Sequence, residues 1–63
     1  MLLKDLMRVI LENKVTIYKE CDNDYLNLYS GAPYDLPSEL MGEMVRIVSA
    51  KEKNHLDVEV WAR

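Results

Sequence analysis

Chemistry in this chain of 63 residues would have to come from one histidine, one cysteine, scattered carboxylates and four tyrosines. A single histidine, His55, cannot supply both a general base and a metal-ligand set. It opens an alternating stretch on the side away from Val58 and Val60, where a solvated surface histidine is expected. Cys21 stands between Glu20 and Asp22, an acidic setting unsuited to a nucleophilic thiolate. As a lone cysteine it also excludes an internal disulfide and a cysteine-based zinc site. Glu20, Asp22 and Asp24 imitate the start of a calcium loop, but the glycine and the later bidentate glutamate are missing. Asp57 and Glu59 alternate along one strand face and read as edge charges that discourage aggregation. Nucleophile, base and oxyanion donors occur nowhere at a recognisable spacing, so the sequence predicts no enzyme, no catalytic residue, no cofactor and no bound metal.

The tyrosines point elsewhere. Tyr18, Tyr25 and Tyr29 fall opposite Val15, Ile17, Leu26 and Leu28 in two alternating stretches, and Tyr34 follows shortly after. Rings on an outer face make a contact surface, because they bury large area and carry a polar handle. Met44 and Trp61 extend that surface if the sheet sets its strands side by side. Base stacking on the same rings is disfavoured: the net charge is −3 and the eight Lys and Arg residues form no stripe.

The elements that must position these residues follow from periodicity. Residues 2 to 12 predict a helix whose polar arc holds Lys4, Asp5, Arg8 and Glu12, with Asn13 as its left-handed stop. Its apolar arc, roughly 200° wide, exceeds the stripe of about 100° that one sheet face needs. The excess is covered by the crossover segment, or it is a self-association surface through Leu2, Val9 and Leu11.

Lys14 to Glu20 and Tyr25 to Ser30 alternate with period two around Asp22-Asn23, which predicts a hairpin. An even loop puts Ile17 opposite Leu28 and Val15 opposite Ser30. Met44 to Ser49 and His55 to Trp61 predict a second hairpin around the loop Lys51-Glu-Lys-Asn54. Centred on Glu52-Lys53, it sets Ile47 against Val58 and Val45 against Val60 on the core face. The other face then gains Arg46 opposite Glu59 and Met44 opposite Trp61.

Gly31 to Glu43 is too long for a hairpin turn and must cross over the sheet or pack along its edge. Gly31 and Ala32-Pro33-Tyr34 read as a turn; Pro37 suits the first turn of a short helix, Glu39 its positive end and Gly42 its stop, with Asp35 or Leu36 as the cap. Leu36, Leu40 and Met41 then turn inward. The predicted fold is α+β, a single domain over residues 1 to 63. An N-terminal helix packs on an antiparallel sheet of two β-hairpins joined by a crossover containing one short helix.

Half the residues are apolar and 30% are charged, the balance of a globular domain and not of a disordered tail. A chain this short buries only about 60% of its unfolded surface, so help from a second copy is expected. No apolar run approaches the roughly 18 residues of a membrane span, and Lys4, Asp5 and Arg8 interrupt any signal-peptide core, which predicts a cytoplasmic protein with no membrane partner.

The amphipathic start, the stretch Leu28-Tyr-Ser-Gly31, then Asp35-Leu-Pro-Ser-Glu-Leu40 and the terminal alternating hairpin resemble small uncharacterised proteins of prophages and other mobile elements in Gram-positive bacteria. The resemblance implies a bacterial or phage origin and carries no biochemistry. The expectation is therefore a non-enzymatic protein that meets a protein partner or forms a homodimer. Two alternatives are a small acidic phage-encoded inhibitor of a host nucleic-acid-binding protein, and a single-stranded nucleic-acid binder using the tyrosine face.

Overall fold

A computed structural model describes residues 1–10 and 13–62. The elements are α1 (Leu3–Met7), β1 (Lys14–Cys21), β2 (Asp24–Gly31), two 3-10 turns (Pro33–Asp35 and Ser38–Leu40), β3 (Val45–Glu52) and β4 (His55–Val60). The class is α+β, with one short N-terminal helix on a four-stranded sheet.

The helix is shorter than its periodicity predicts, because its first residues are tied to the sheet in extended form. Val45 N–H donates to the Met1 carbonyl at 2.8 Å and Leu3 N–H to the Glu43 carbonyl at 2.7 Å, so winding begins only at Leu3. Beyond Met7 the chain tightens, with Val9 N–H on the Leu6 carbonyl at 3.1 Å, and the β-branched Val9 and Ile10 continue a helix poorly. Asn13 therefore does not end it; Leu11 and Glu12 lie outside the described residues. Leu3 is fully buried, Leu6, Met7 and Ile10 pack against the core, and Val9 faces solvent. Most of the described apolar arc is thus used inside the fold.

The sheet is mixed, with order β2-β1-β4-β3, and this corrects the all-antiparallel expectation. The parallel pair is β1 with β4, where Val15 lies opposite Leu56 and Ile17 opposite Val58. These two strands carry the densest β-branched core positions, and placing them in the middle buries Val15, Ile17, Val58 and Val60 completely under Leu3 and Leu36. The outer strands β2 and β3 are mostly exposed.

Val45 lies opposite Val60 and the first loop is even about Asp22-Asn23, both as expected, but β-bulges shift the other expected pairs. Asp22 and Asn23, at φ 50° and 66°, form a two-residue turn whose twist matches the strands. Leu28 is then an extra residue, so Ile17 faces Tyr29 and not Leu28, and Val15 faces Gly31 and not Ser30. The second turn is Lys53-Asn54, with Asn54 at φ 63° and Glu52 opposite His55, not a four-residue loop centred on Glu52-Lys53. Lys51 and Arg46 are the extra residues of β3. Ile47 consequently faces Glu59 on the open side, while Val48 takes the place opposite Val58.

The crossover holds a 3-10 turn near the turn expected at Ala32-Pro33-Tyr34, and a second 3-10 turn where a short helix from Pro37 was expected. Pro33 opens the first and Pro37 precedes the second, and neither turn has a side-chain cap, so Asp35 and Leu36 do not serve as one. Three-residue turns suit the two prolines, whose fixed φ favours starts and whose missing N–H forbids continuation. Leu36 is buried and Leu40 packs against the core, but Met41 points outward, contrary to expectation. The segment is pinned by Lys4 N–H on the Met41 carbonyl at 3.2 Å and by Lys19 Nζ at 3.9 Å from the Glu43 carboxylate.

Candidate functional site

Strand alternation divides the sheet into two faces. Val15, Ile17, Val58 and Val60 lie under α1 and the crossover, and the opposite face carries Thr16, Tyr18, His55, Asp57 and Glu59. No described helix packs on that second face. It holds a polar centre flanked by aromatic and apolar residues.

At the centre, Glu59 is only 3% exposed, and its carboxylate is bonded and ion-paired to the Arg46 guanidinium. The bulge at Arg46 makes this possible, because it re-aims the side chain onto the open face. That contact pushes the Arg46 pKa up, first through the hydrogen bond and then through the charge of Glu59. Arg46 also lies over the Trp61 ring at 5.0 Å from its centre, a cation–π geometry. Trp61 N–H in turn donates to the Met44 carbonyl at 3.0 Å, which fixes Met44 beside it.

Tyr18 pairs across β1 and β4 with Glu59 and packs edge-on against Tyr25, ring centres 5.3 Å apart and planes at 88°. Burial raises the Tyr18 pKa above the ordinary tyrosine value, and the carboxylates of Glu59 and Asp57 add to it. Tyr25 and Trp61 remain 60% and 54% exposed, and Met44 and Ile47 are exposed as well. The strip from Tyr25 through Tyr18 and Arg46 to Trp61 is therefore continuous through Glu59.

A second polar group lies further along β4. Thr16 Oγ1 is 2.7 Å from His55 Nε2 and 3.2 Å from the Ser30 hydroxyl, and His55 Nδ1 is 3.6 Å from the Glu52 carboxylate. His55 is 7% exposed, which corrects the expectation of a solvated residue, and β4 is central, so Asp57 and Glu59 are not edge charges. A carboxylate, an imidazole and a hydroxyl in a row follow the logic of an activated nucleophile. The Glu52 contact is longer than a hydrogen bond, however, and that side chain is 71% in solvent, so it does not orient the ring. One oxygen of Asp57, Oδ1, is buried without a hydrogen-bond partner, 3.9 Å from His55 Nε2. Among the described residues no group of three or more His, Cys, Asp or Glu is placed to hold a metal ion.

The sequence-predicted surface is thus partly assembled. Tyr18 and Tyr25 come together, and so do Met44 and Trp61, but Tyr29 moves to the core face and donates its hydroxyl to the Ala32 carbonyl at 2.7 Å. Tyr34, 87% exposed, sits on the crossover beside a groove of about 350 Å³ floored by Met7 and Leu36 and flanked by Lys4 and Arg8. Of the predicted self-association residues, Leu2 is half-buried in a bridge to Met44, Val9 is exposed, and Leu11 is outside the described residues. The Arg46–Glu59 contact was visible in the alternation. The Thr16–His55 contact was not, because it crosses the parallel pair between residues 39 apart.

Compared with known proteins, the chain matches no protein-family model, no curated protein and no solved structure.

Proposed function

We propose that this protein is a non-enzymatic, self-associating interaction module whose working surface is the open face of the sheet. The observation that carries the reading is the strip Tyr25, Tyr18, Arg46 and Trp61 with Met44 and Ile47, exposed apolar and aromatic area around an ion pair already satisfied within the chain. Tyr, Trp and Arg are the residue types that concentrate binding energy at protein interfaces. The polar groups beneath them are largely paired, so a partner covering the strip would desolvate few free charges.

The interleaving of Arg46 and His55 with Glu59 and Asp57 weighs against a continuous acidic surface of the kind an inhibitor of a nucleic-acid-binding protein would present. Single-stranded nucleic acid would need a row of cations along the rings, and Arg46 stands among the carboxylates Glu59 and Asp57 of the same face. A cytoplasmic setting and a prophage or mobile-element origin belong to the same proposal; the first rests on the lone Cys21, which forms no internal disulfide, and the second on the resemblance of the Tyr29, Gly31 and Asp35-Leu-Pro37 pattern. No described helix is long and apolar enough to cross a membrane.

The test is a Tyr25→Ser/Trp61→Ser variant, checked for an unchanged circular dichroism spectrum. The wild type is expected to retain a defined protein from a bacterial lysate, or to sediment above 7.4 kDa, and the variant to lose that behaviour. A wild type that stays monomeric at every concentration and retains nothing that the variant loses would sink the reading.

A further inference from the structure

The two edges of the sheet are not equivalent. β2 is interrupted by the bulge at Leu28, and its regular run Asp24–Asn27, four residues long, opens on the charged Asp24 at the turn. β3 carries its bulges at Arg46 and Lys51, and between them Ile47, Val48, Ser49 and Ala50 pair one-to-one with Glu59, Val58, Asp57 and Leu56. This central run has no proline and no charge, all four residues are exposed, and among the described residues its outward backbone groups meet no other strand. An unpaired edge of that kind is a template for a further strand.

We infer that the partner is a second copy of this chain, added antiparallel along β3 about a two-fold axis at Ser49. The inference rests on the reading of the chain as a self-associating module and adds the edge and the register.

Symmetry and the N-terminus select that register. A two-fold axis normal to the sheet must pass through one residue facing its own copy, which leaves Ile47, Val48, Ser49 or Ala50 as the centre. The N-terminal segment already occupies the edge at Met44 and Val45, through the Leu2–Met44 bridge and the Val45 hydrogen bond to Met1. Centring on Ile47 would bring the second copy's Ser49 against Val45, and centring on Val48 would bring its Lys51 and Glu52 against Val45 and Met44. Both collide with Met1 and Leu2.

Centring on Ala50 sets Val48 against Glu52. Centring on Ser49 pairs residues 46 to 52, all beyond the N-terminal segment, and only the second copy's Lys53-Asn54 turn, past the end of its strand, reaches the level of Val45 and Met44. It pairs Val48 with Ala50 and brings Arg46 beside the second copy's Glu52, twice over. Arg46 bonds Glu59 and Glu52 lies opposite His55, so both side chains belong to the open face, where opposite charges can meet. Joining two copies in this way makes one eight-stranded sheet with both open faces on the same side.

The experiment uses the full chain with Cys21→Ser, so that introduced thiols report alone. Ser49→Cys is expected to cross-link to a covalent dimer with a short bis-maleimide at concentrations where sedimentation shows the dimer. Ile47→Cys, which this register sets opposite the second copy's Lys51 and so roughly 14 Å along the strands from its own counterpart, should cross-link far less. Glu52→Arg, at a mostly solvated side chain, should keep the circular dichroism spectrum and raise the dimer dissociation constant by roughly tenfold. A dimer that Glu52→Arg leaves unchanged, or in which Ser49→Cys fails to cross-link, overturns the edge and register while self-association stands. A wild type that is monomeric throughout overturns both this inference and the self-association it rests on.

Discussion

At the scale of single residues, the open face is organised by how each charge is met. Glu59 is buried on a strand that the sheet covers from both sides, and Arg46 is the group that neutralises it. Removing one partner of such a pair leaves an uncompensated buried charge, whereas replacing both with apolar residues of similar size is often neutral. Arg46→Met should therefore lower the urea midpoint at neutral pH more than the double variant Arg46→Met/Glu59→Met does. Equal midpoints for the single and double variants would mean that the pair is not coupled.

Tyr18 and Tyr29 carry a second residue-scale consequence. Burial, the first cause in both, raises their pKa above the ordinary value of about 10, with Glu59 adding to Tyr18 and Asp35 to Tyr29. In the unfolded chain these phenols lose their protons first, so between the ordinary and the raised values the folded state holds more protons. Stability is complete below pH of about 10 and falls as the pH rises beyond it. Alkaline titration followed by tyrosinate absorbance should show Tyr18→Phe and Tyr29→Phe each removing a late-ionising component. If all four tyrosines of the wild type titrate together at the ordinary value, the burial of these two rings is wrong.

At the scale of elements, the bulges decide what each strand displays. A one-residue shift exchanges the faces of every residue beyond it, which is why Tyr29 joins the core and Ile47 leaves it. The Leu28 bulge also brings Tyr29 back over Gly31, where an added Cβ would lie 2.7 Å from Tyr29 Oη and 3.1 Å from its Cζ. Gly31→Ala is expected to displace the ring, break its hydrogen bond to Ala32 and cost about 1 to 3 kcal/mol in chemical denaturation. A neutral effect would show that the ring is free to move. The glycine was legible as a breaker in the sequence, but its role as a partner of Tyr29 depends on the bulge. The crossover was legible in the same limited way: Pro33 and Pro37 marked its turns, while its docking, through Leu3 and Lys4 N–H on the Glu43 and Met41 carbonyls, was not.

At the scale of the whole molecule, six buried apolar residues form the core among the described residues of a 63-residue chain, so each member matters. Ile17 lies at its centre, between Tyr29 and Val58. Ile17→Ala should cost about 2 to 5 kcal/mol, a large share of the stability of a domain this small, and leave a large unfolded population at room temperature. Full cooperative folding with an unshifted midpoint would place the core elsewhere. Narrow stability also gives the open face and the β3 edge their significance. A second copy paired as proposed would add buried area to a chain this short.

The sequence by itself determined what is local: the two pairs of alternating strands, the Asp22-Asn23 turn, and the punctuation of the crossover by Gly31, Pro33 and Pro37. Alternation and turn chemistry act between near neighbours, and they leave their pattern in the residues. Only the tertiary structure decided that β1 and β4 lie side by side and parallel, that bulges at Leu28, Arg46 and Lys51 turn side chains to other faces, and that His55 and Glu59 are buried. The physical reason is that sheet partners far apart in the chain are chosen by the area they bury together. Burying Val15, Ile17, Val58 and Val60 under Leu3 and Leu36 outweighed keeping either hairpin in ideal register.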